Sequence, residues 1–286
     1  MDRRNFITHI AALGALPVLK LENSMKVESP ASPSANSIQL IRNATLVINY
    51  AGKRILVDPM LSPKGAIRPF AGKERNPTIE LPIPSTDVIK DIDLVLVTHT
   101  HPDHFDQVAA DTLNKSIKLI HQPADKAFFE NAKFTHAEAV ADHTYWNCIH
   151  IYRTDGKHGS GDILTRMGTV SGYVLKAENQ PTLYIVGDSI WNKEVEQSMK
   201  KFNPDWIVTN SGGAVIPSFE STPILMNEEG TISLVRASAH AKIIAVHMES
   251  LDHCRTTRAS LRTAADKAGI DQQKLIIPAD GERVAL

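Results

Sequence analysis

Four side chains that commonly bind metal ions stand close together in the run Val97-Thr98-His99-Thr100-His101-Pro102-Asp103-His104. Residues two apart at the end of a strand point to the same side, so His99 and His101 are spaced to share one metal ion. The turn expected at Pro102 would aim Asp103 and His104 toward a second ion. A purely structural role is disfavoured, because four polar groups packed this closely would each need a partner if buried. The run therefore predicts a two-metal site.

A buried strand must deliver this run, because residues 92–98 form an almost continuous apolar stretch that ends just before the first histidine. The segment beyond Pro102 predicts a helix that continues to about residue 114. Three earlier β-like stretches, residues 38–41, 45–50 and 54–58, predict a hairpin meander. The metal ligands are thus expected at the carboxyl end of a strand.

The remainder of the chain alternates between strand and helix patterns. Strands are predicted at residues 118–120, 149–152, 172–175, 182–186, 206–209, 242–246 and 274–277, and helices at residues 124–131, 193–201, 230–238 and 257–268. A meander followed by this alternation predicts an α/β fold of two sheets covered by helices, a four-layer αββα sandwich. Residues 277–282 are interpreted only as turn and surface.

The metal-binding run resembles the His-x-His-x-Asp-His motif of the metallo-β-lactamase superfamily, and the resemblance covers nearly everything after Ser37. In the superfamily's order, the motif is followed by the stretches Gly156-Lys157-His158-Gly159, Val186-Gly187-Asp188 and Ala245-Val246-His247. The resemblance implies a first metal ion held by His99, His101 and His158, a second held by Asp103, His104 and His247, and Asp188 as the bridge between them.

Each of the three later ligands has an ordinary alternative. His158 would be a polar residue in a Gly-rich loop, Asp188 a turn residue that ends a strand, and His247 a core histidine with satisfied hydrogen bonds. Their joint occurrence at three strand exits, in the superfamily's order, favours the interpretation as ligands. His143 is a rival to His158, and His253 is a rival to His247.

Asp58 ends its β-like stretch in the sequence Leu56-Val57-Asp58-Pro59. The resemblance implies that this carboxylate supports the ligand histidines from behind, whereas a capping or turn aspartate fits the same pattern. Within the superfamily, Asn43-Ala44-Thr45, Asp58-Pro59 and Gly187-Asp188-Ser189 resemble the branch that includes the ascorbate-6-phosphate lactonase and the N-acyl-phosphatidylethanolamine phospholipase D. That branch more often has Thr at the position of Ser189, and it mixes esters, lactones and phosphodiesters.

The chemistry implied is metal-assisted hydrolysis. Two divalent ions about 3.5–4 Å apart would lower the pKa of a bridging water toward neutrality and so supply hydroxide at ordinary pH. The hydroxide would attack a carbonyl or phosphoryl centre, and a water protonated through Asp103 would help the leaving group depart, which makes Asp103 the predicted catalytic residue. The sequence contains no Gly-x-Ser-x-Gly elbow, which would have favoured a serine nucleophile. We expect a hydrolase of an ester, lactone or phosphodiester in a small molecule.

The cysteine-free ligand set suits zinc best, although manganese, iron and nickel also accept imidazole and carboxylate ligands. One alternative is a mono-iron dioxygenase of the same fold, which the complete ligand set for two ions disfavours. Another is a non-catalytic protein whose metal stabilises the fold, but structural zinc sites are usually four-coordinate and closed.

Two long loops rich in Gly, Pro and Ser, residues 59–84 and 210–226, are expected to form the substrate pocket. Arg68, Lys73 and Arg75 could meet an anionic group of a substrate, but solvated surface is the simpler interpretation. The formal net charge is only −1, which gives no basic field for nucleic acid. Two cysteines exclude a disulfide framework and a Cys-rich zinc module.

The first 36 residues differ in composition from the rest. Arg3-Arg4 before the apolar residues 7–19 resembles a twin-arginine export signal, and residues 21–36 form a linker rich in Ser, Pro and charge. The folded domain is therefore predicted at residues 37–286, in the periplasm, with a cytoplasmic protein that begins with an amphipathic helix as the alternative. No apolar run reaches the roughly 18 residues of a spanning helix, so no transmembrane segment is expected in the mature chain.

Overall fold

The computed structural model describes residues 36–286. The strands are, in chain order, β1 (Ser37–Arg42), β2 (Thr45–Tyr50), β3 (Lys53–Val57), β4 (Leu94–Val97), β5 (Lys118–His121), β6 (Ala137–Ala139), β7 (His143–Trp146), β8 (Ile149–Asp155), β9 (Ser171–Lys176), β10 (Leu183–Ile185), β11 (Trp206–Asn210), β12 (Lys242–Val246), β13 (Leu275–Ile276) and β14 (Arg283–Ala285). The predicted export signal and its linker up to residue 35 lie outside the described residues.

The helices other than α4 pack on the outer faces of the sheets, and α4 packs on the loop after β11. They are α1 (Ser85–Val88), α2 (Gln107–Thr112), α3 (Lys126–Asn131), α4 (Ile163–Met167), α5 (Lys193–Phe202), α6 (Glu228–Ala237) and α7 (Arg258–Lys267), with a 3₁₀ turn at Pro123–Asp125. Across residues 36–286, no helix has the length and apolar character needed to cross a bilayer.

The strands within residues 36–286 form two mixed seven-stranded sheets. The order in the first sheet is β14-β1-β2-β3-β4-β5-β6, and the order in the second is β13-β12-β11-β10-β9-β8-β7. Strands β3 to β6 are parallel in the first sheet, and strands β10 to β13 are parallel in the second. The parallel strands of each sheet therefore end at a shared edge, where loops can bring side chains together.

Period-two alternation explains how both faces of a sheet become buried. In β2, Leu46, Ile48 and Tyr50 join the core between the sheets. Val47 points the other way, into the core under α2 and α3. A third core lies between the second sheet and α5, α6 and α7. These layers confirm the predicted α/β sandwich with helices outside two sheets.

The helix predicted directly after Pro102 begins later than expected, and that part of the prediction was wrong. The amides of His104 and Phe105 both donate to the carbonyl oxygen of His101 at 2.9 Å, in tight turns. Helix α2 starts only at Gln107, because the Asp106 side chain caps it by accepting from the amide of Ala109 at 2.8 Å. The residues between strand and helix are thereby free to aim metal ligands.

The C-terminal tail does more than form turn and surface. Gly281 donates its amide to Leu40 at 2.7 Å, and Leu40 donates back to Glu282 at 3.0 Å. The Asp280 carboxylate pairs with Arg258 of α7 at 2.7 Å. The tail thus leads into β14, which pairs with β1 and completes the first sheet.

Candidate metal centre

The seven predicted ligands converge where the strands of both sheets end. One group is His99, His101 and His158, and the other is Asp103, His104, Asp188 and His247, each with its potential ligand atoms within 4.8 Å of one another. The histidine run follows β4, Asp188 follows β10 and His247 directly follows β12. His158 lies in the loop that follows β8.

The first group consists of three imidazoles. Nε2 of His99 lies 3.0 Å from Nδ1 of His101, and Nε2 of His158 lies 3.3 Å from the same Nδ1 atom. His158 uses its other nitrogen to donate to the carbonyl oxygen of Ile224 at 2.6 Å. His99 and His158 are buried, whereas His101 is only half-buried, so the centre can be reached past His101.

The tautomer of His99 follows from its hydrogen bonds. The Thr98 hydroxyl donates its one proton to Oδ2 of Asp58 at 2.7 Å, and it lies 3.1 Å from Nδ1 of His99. Thr98 must therefore accept from His99, which places the proton of the ring on Nδ1. Nε2 of His99 is left with its lone pair directed at the group.

The second group combines two imidazoles with two carboxylates. Nε2 of His104 lies 3.2 Å from Nε2 of His247, and Oδ2 of Asp103 lies 3.4 Å from the same atom of His247. Nδ1 of His104 donates to Oδ2 of Asp58 at 2.8 Å, which leaves Nε2 of His104 for the centre. Asp58 also accepts the amide of Thr98 at 2.7 Å. Its carboxylate thus supports His104 directly and His99 through Thr98.

Asp188 lies between the two groups. Its Oδ2 atom is 3.2 Å from Nε2 of His104 and 3.6 Å from Nε2 of His158. Its Oδ1 atom is 3.6 Å from Nε2 of His247 and accepts from the Asn210 side chain at 2.6 Å. One carboxylate therefore contacts both groups, as a bridging ligand must.

The donor chemistry of these residues fits metal ions. Ring nitrogens of these histidines face one another at 3.0–3.3 Å. A cation placed between them would bind several of their lone pairs at once. Imidazole and carboxylate together suit zinc and other divalent transition metals. Every residue of both groups is therefore suitably placed to hold a metal ion.

The second group brings two ionised carboxylates together with two histidines. Burial opposes ionisation of Asp103 and Asp188, but His104 and His247 outweigh it and lower the pKa of both carboxylates. Burial alone would lower the pKa of His104, yet Asp188, Asp103 and Asp58 raise this pKa to about 10. The pKa of His247 is likewise raised well above its ordinary value, against burial and chiefly by Asp188. A cation at this point would replace the protons that these carboxylates attract.

The first group has the opposite character. Burial lowers the pKa of His158 to about 4, despite the attraction of Asp188. The pKa of His99 is lowered well below its ordinary value by burial and by the neighbouring His104 and His101. These imidazoles are therefore neutral near pH 7 and offer lone pairs, which is the form that binds metal.

The backbone at two strand exits is held in the left-handed region. Asp58 has φ of 44° and His247 has φ of 67°, conformations that non-glycine residues rarely adopt. Such backbone persists where the surroundings impose it, often at functional sites. Asn43, with φ of 59°, is one source of that constraint: its carbonyl oxygen accepts the amide of His247, and its side chain donates to the carbonyl oxygen of Asp103, both at 2.9 Å.

Sequence reasoning missed the supporting roles of Asn43, Asn210 and Cys254. Asn210 ends β11 and orients Asp188, and the Cys254 sulfur lies 3.7 Å from Nδ1 of His247. Asn210 carried a usable signal, because it follows a buried strand as His247 does. Cys254 carried none, since its contact depends on how the loop after β12 turns back.

The two rival histidines lie outside both ligand groups. His143 is on β7, where its ring stacks on Tyr152 and its Nε2 atom lies 3.1 Å from Nδ1 of His150. His253 is buried beside the ring of Phe70, with centroids 5.1 Å apart. Burial lowers the pKa of His253, although the Asp103 carboxylate opposes that shift.

One aspartate ties the loop at residues 59–84 to the loop after β12. The Asp252 carboxylate accepts the amides of Phe70, Ala71 and Lys73 at 2.9–3.1 Å and the side chain of Asn76 at 2.9 Å. The guanidinium of Arg75 donates to the carbonyl oxygens of Gly65 and Ala66 of its own loop. Arg75 is thus engaged locally rather than free to bind an anion.

Comparisons with known proteins agree with this architecture. A profile of the Beta-lactamase superfamily domain matches residues 53–248. The UPF0173 protein YddR of Bacillus subtilis is 35% identical over 252 residues, which cover 86% of this chain and 98% of that protein. An isothiocyanate hydrolase from Delia radicum gut bacteria has a solved structure with 38% identity and a TM-score of 0.82, covering 87% of this chain and 99% of that one. A possible metal-dependent hydrolase from Veillonella parvula has 31% identity and a TM-score of 0.84, covering 88% of this chain and 100% of that one.

The sandwich of two mixed sheets, with histidines and aspartates gathered where strands of both sheets end, defines a metal-dependent hydrolase of the metallo-β-lactamase fold. The match to YddR covers nearly the full length of both chains. The chain belongs to the beta-lactamase superfamily and, within it, to the UPF0173 family.

Proposed function

We propose that the protein holds two divalent ions, preferably zinc, and hydrolyses a small molecule at an electrophilic carbon or phosphorus. The observation that carries this proposal is the position of Asp188, whose Oδ2 atom faces His104 of one ligand group and His158 of the other. When bound, the ions would supply Lewis acidity and a water acidified toward neutral pH as the nucleophile.

The chain's own residues then have distinct tasks. Asp58 and Asn210 fix the orientation of His104 and Asp188, so that the ligands need little rearrangement. Asp103 is buried beside His247 and is the nearest candidate to pass a proton to the leaving group. Because the surrounding imidazoles lower the pKa of Asp103, its carboxylate is ionised and would relay a proton taken from the attacking water rather than supply one of its own.

Two sources suggest the substrate class: the resemblance of the sequence and one relative of known structure. Esters, lactones and phosphodiesters are the substrates expected from the resemblance of the sequence. The isothiocyanate hydrolase of 38% identity adds a second candidate activity, the hydrolysis of an isothiocyanate. Both activities need attack by water on an electrophilic centre, and both fit the proposed site.

A hydrolysis panel tests the proposal. Purified zinc-loaded protein is assayed on p-nitrophenyl phosphodiesters, aryl esters, lactones and benzyl isothiocyanate, beside the variants His101→Ala and His143→Gln. We expect hydrolysis in at least one class, lost by at least about 10³-fold in His101→Ala and retained in His143→Gln. Equal rates for wild type and His101→Ala would contradict the proposal, as would inactivity of zinc-, manganese- and iron-loaded protein on the whole panel.

A further inference from the structure

His253 is a buried histidine that belongs to neither ligand group. The residue keeps only 5% exposure, and its Nδ1 atom is fully enclosed with no hydrogen-bond partner among the described residues. The residues on either side have evident partners: Asp252 binds the loop at 59–84, and Cys254 contacts His247. A histidine buried with an unpaired ring nitrogen is costly, so packing alone does not explain its presence here.

The position of His253 joins both predicted substrate loops to the metal centre. Its ring stands edge-on to Phe70 of the first loop, with centroids 5.1 Å apart. Its carbonyl oxygen accepts the amide of Val215 in the second loop at 3.1 Å. The next residue, Cys254, lies 3.7 Å from the ligand His247. His253 therefore stands where both loops meet the metal centre.

The enclosed nitrogen indicates the tautomer. Among backbone groups, an enclosed N–H without an acceptor is rarer than an enclosed oxygen without a donor, and we apply the same preference to this ring. We therefore assign the lone pair to Nδ1 and the proton to Nε2. Nε2 is then the one hydrogen-bond donor that this ring can offer.

We propose that His253 contacts the substrate, with Nε2–H donating to a polar atom of the reacting group and Phe70 covering an adjacent apolar substituent. The substrate class is a small molecule in which a nitrogen, oxygen or sulfur acceptor adjoins an apolar group. This inference rests on the proposed hydrolytic function and assigns the site a specificity residue that binds no metal ion.

Three substitutions separate hydrogen bonding from packing. The amide of Gln can reach the position of Nε2, the amide of Asn only that of Nδ1, and Leu fills space without donating. We expect His253→Gln to keep kcat/KM within about 3-fold of wild type, and His253→Asn and His253→Leu to lose roughly 10-fold or more. Zinc content by elemental analysis should be unchanged in all three, and His143→Gln is the control for the same exchange at an exposed histidine. Wild-type kcat and KM in His253→Leu, or loss of zinc from this variant, would overturn the inference.

A second measurement does not depend on turnover. Long-range ¹H–¹⁵N spectra of the zinc-loaded protein, with the signals of His253 identified from their loss in His253→Gln, report its tautomer. We expect an Nε2–H ring whose signals shift on addition of N-benzylthiourea, an uncharged analogue of benzyl isothiocyanate, while the signals of His143 stay in place. An Nδ1–H ring, or signals unmoved by saturating analogue, would refute the inference. A wild type that binds the analogue at His253 but hydrolyses nothing would refute only the proposed function.

Discussion

At the level of single residues, each histidine of the candidate centre directs one ring nitrogen inward while the protein contacts the other. The contacts to the outer nitrogens come from Thr98 for His99, Asp58 for His104, Ile224 for His158, Cys254 for His247 and the Met167 backbone for His101. These partners fix both tautomer and ring orientation before any ion arrives. Such a centre should bind metal with little reorganisation.

Asp58 is the most demanding of these partners, since one carboxylate accepts three hydrogen bonds. In Asp58→Asn, an amide NH₂ would face either the Thr98 amide or the His104 ring, and both are donors. We expect the affinity for the second ion to fall by about 10–100-fold while the first ion is retained. Competition titration with a chromophoric chelator measures both steps. Asp93→Asn, which removes an exposed carboxylate that pairs with Lys53, is the matched control and should leave both affinities unchanged.

At the level of elements, the site depends on how strands end and where loops return. Gly212 follows β11 and lies against the backbone of His247, so that an added Cβ would overlap the His247 carbonyl oxygen. This close approach holds the end of β12 next to the end of β11. A larger residue cannot fit without moving a ligand.

Gly212→Ala should therefore disturb both stability and metal binding. We expect unfolding of the metal-free protein in urea to become easier by about 1–3 kcal/mol, with weaker binding of the second ion. Gly52→Ala, in a turn with nothing within 4 Å of the added Cβ, has a φ of 73° and should cost only about 1 kcal/mol, without effect on metal affinity. Equal metal affinity in Gly212→Ala and wild type would show that the close approach has no role in placing His247.

A second prediction concerns the hydrogen bonds that the Asp252 carboxylate accepts from the loop at residues 59–84. Burial would raise the pKa of this carboxyl, but the Asn76 amide and the backbone N–H groups of Phe70, Lys73 and Ala71 lower it. A folded-state pKa below the unfolded one stabilises the fold above the unfolded pKa, near 4, and this stabilisation is lost as pH falls through the folded value. Asp252→Asn should thus be less stable than wild type by about 2 kcal/mol at pH 7, with the difference shrinking below pH 4. Urea unfolding of the metal-free wild type and Asp252→Asn at several pH values measures this difference in the free energy of unfolding. A difference that stays constant with pH would contradict the lowered pKa of Asp252.

Local patterns in the sequence were sufficient for the strands that carry ligands. The apolar stretch before His99 and the one before His247 predict β4 and β12 because both faces of these strands are buried. Strands β6, β7 and β14 and helices α1 and α4 lack a sustained apolar run or period, and neighbouring strands and loops, not local preference, determine them. The Asn210–Asp188 and His253–Phe70 contacts join segments that only tertiary packing brings together. The convergence of the seven proposed ligands was therefore predictable, whereas their supporting contacts were not.

At the level of the whole molecule, each ligand group draws on both sheets. His99, His101, Asp103 and His104 follow a strand of the first sheet, and His158, Asp188 and His247 follow strands of the second. An ion in either group would connect the two sheets. Metal binding should consequently stabilise the folded protein as a whole.

Removal of metal should lower the thermal unfolding temperature. An ion present at 100 times its Kd stabilises the fold by about 2.7 kcal/mol, which corresponds to roughly 5–10 °C for a domain of this size. Calorimetry of chelator-treated protein before and after zinc is restored measures the shift. In His247→Ala, restored zinc should raise the unfolding temperature by only part of the wild-type shift. An unfolding temperature independent of zinc in the wild type would contradict a shared role of the ions in both sheets.

The most direct test of the two-ion centre is metal stoichiometry by elemental analysis after reconstitution with zinc. We expect close to two ions per chain in the wild type and close to one in each of His158→Ala and His247→Ala, because each substitution removes a proposed ligand from a different group. Circular dichroism establishes that the variants remain folded. A wild type that retains no ion after reconstitution with zinc, manganese or iron, or a stoichiometry unchanged by both substitutions, would contradict the two-ion centre.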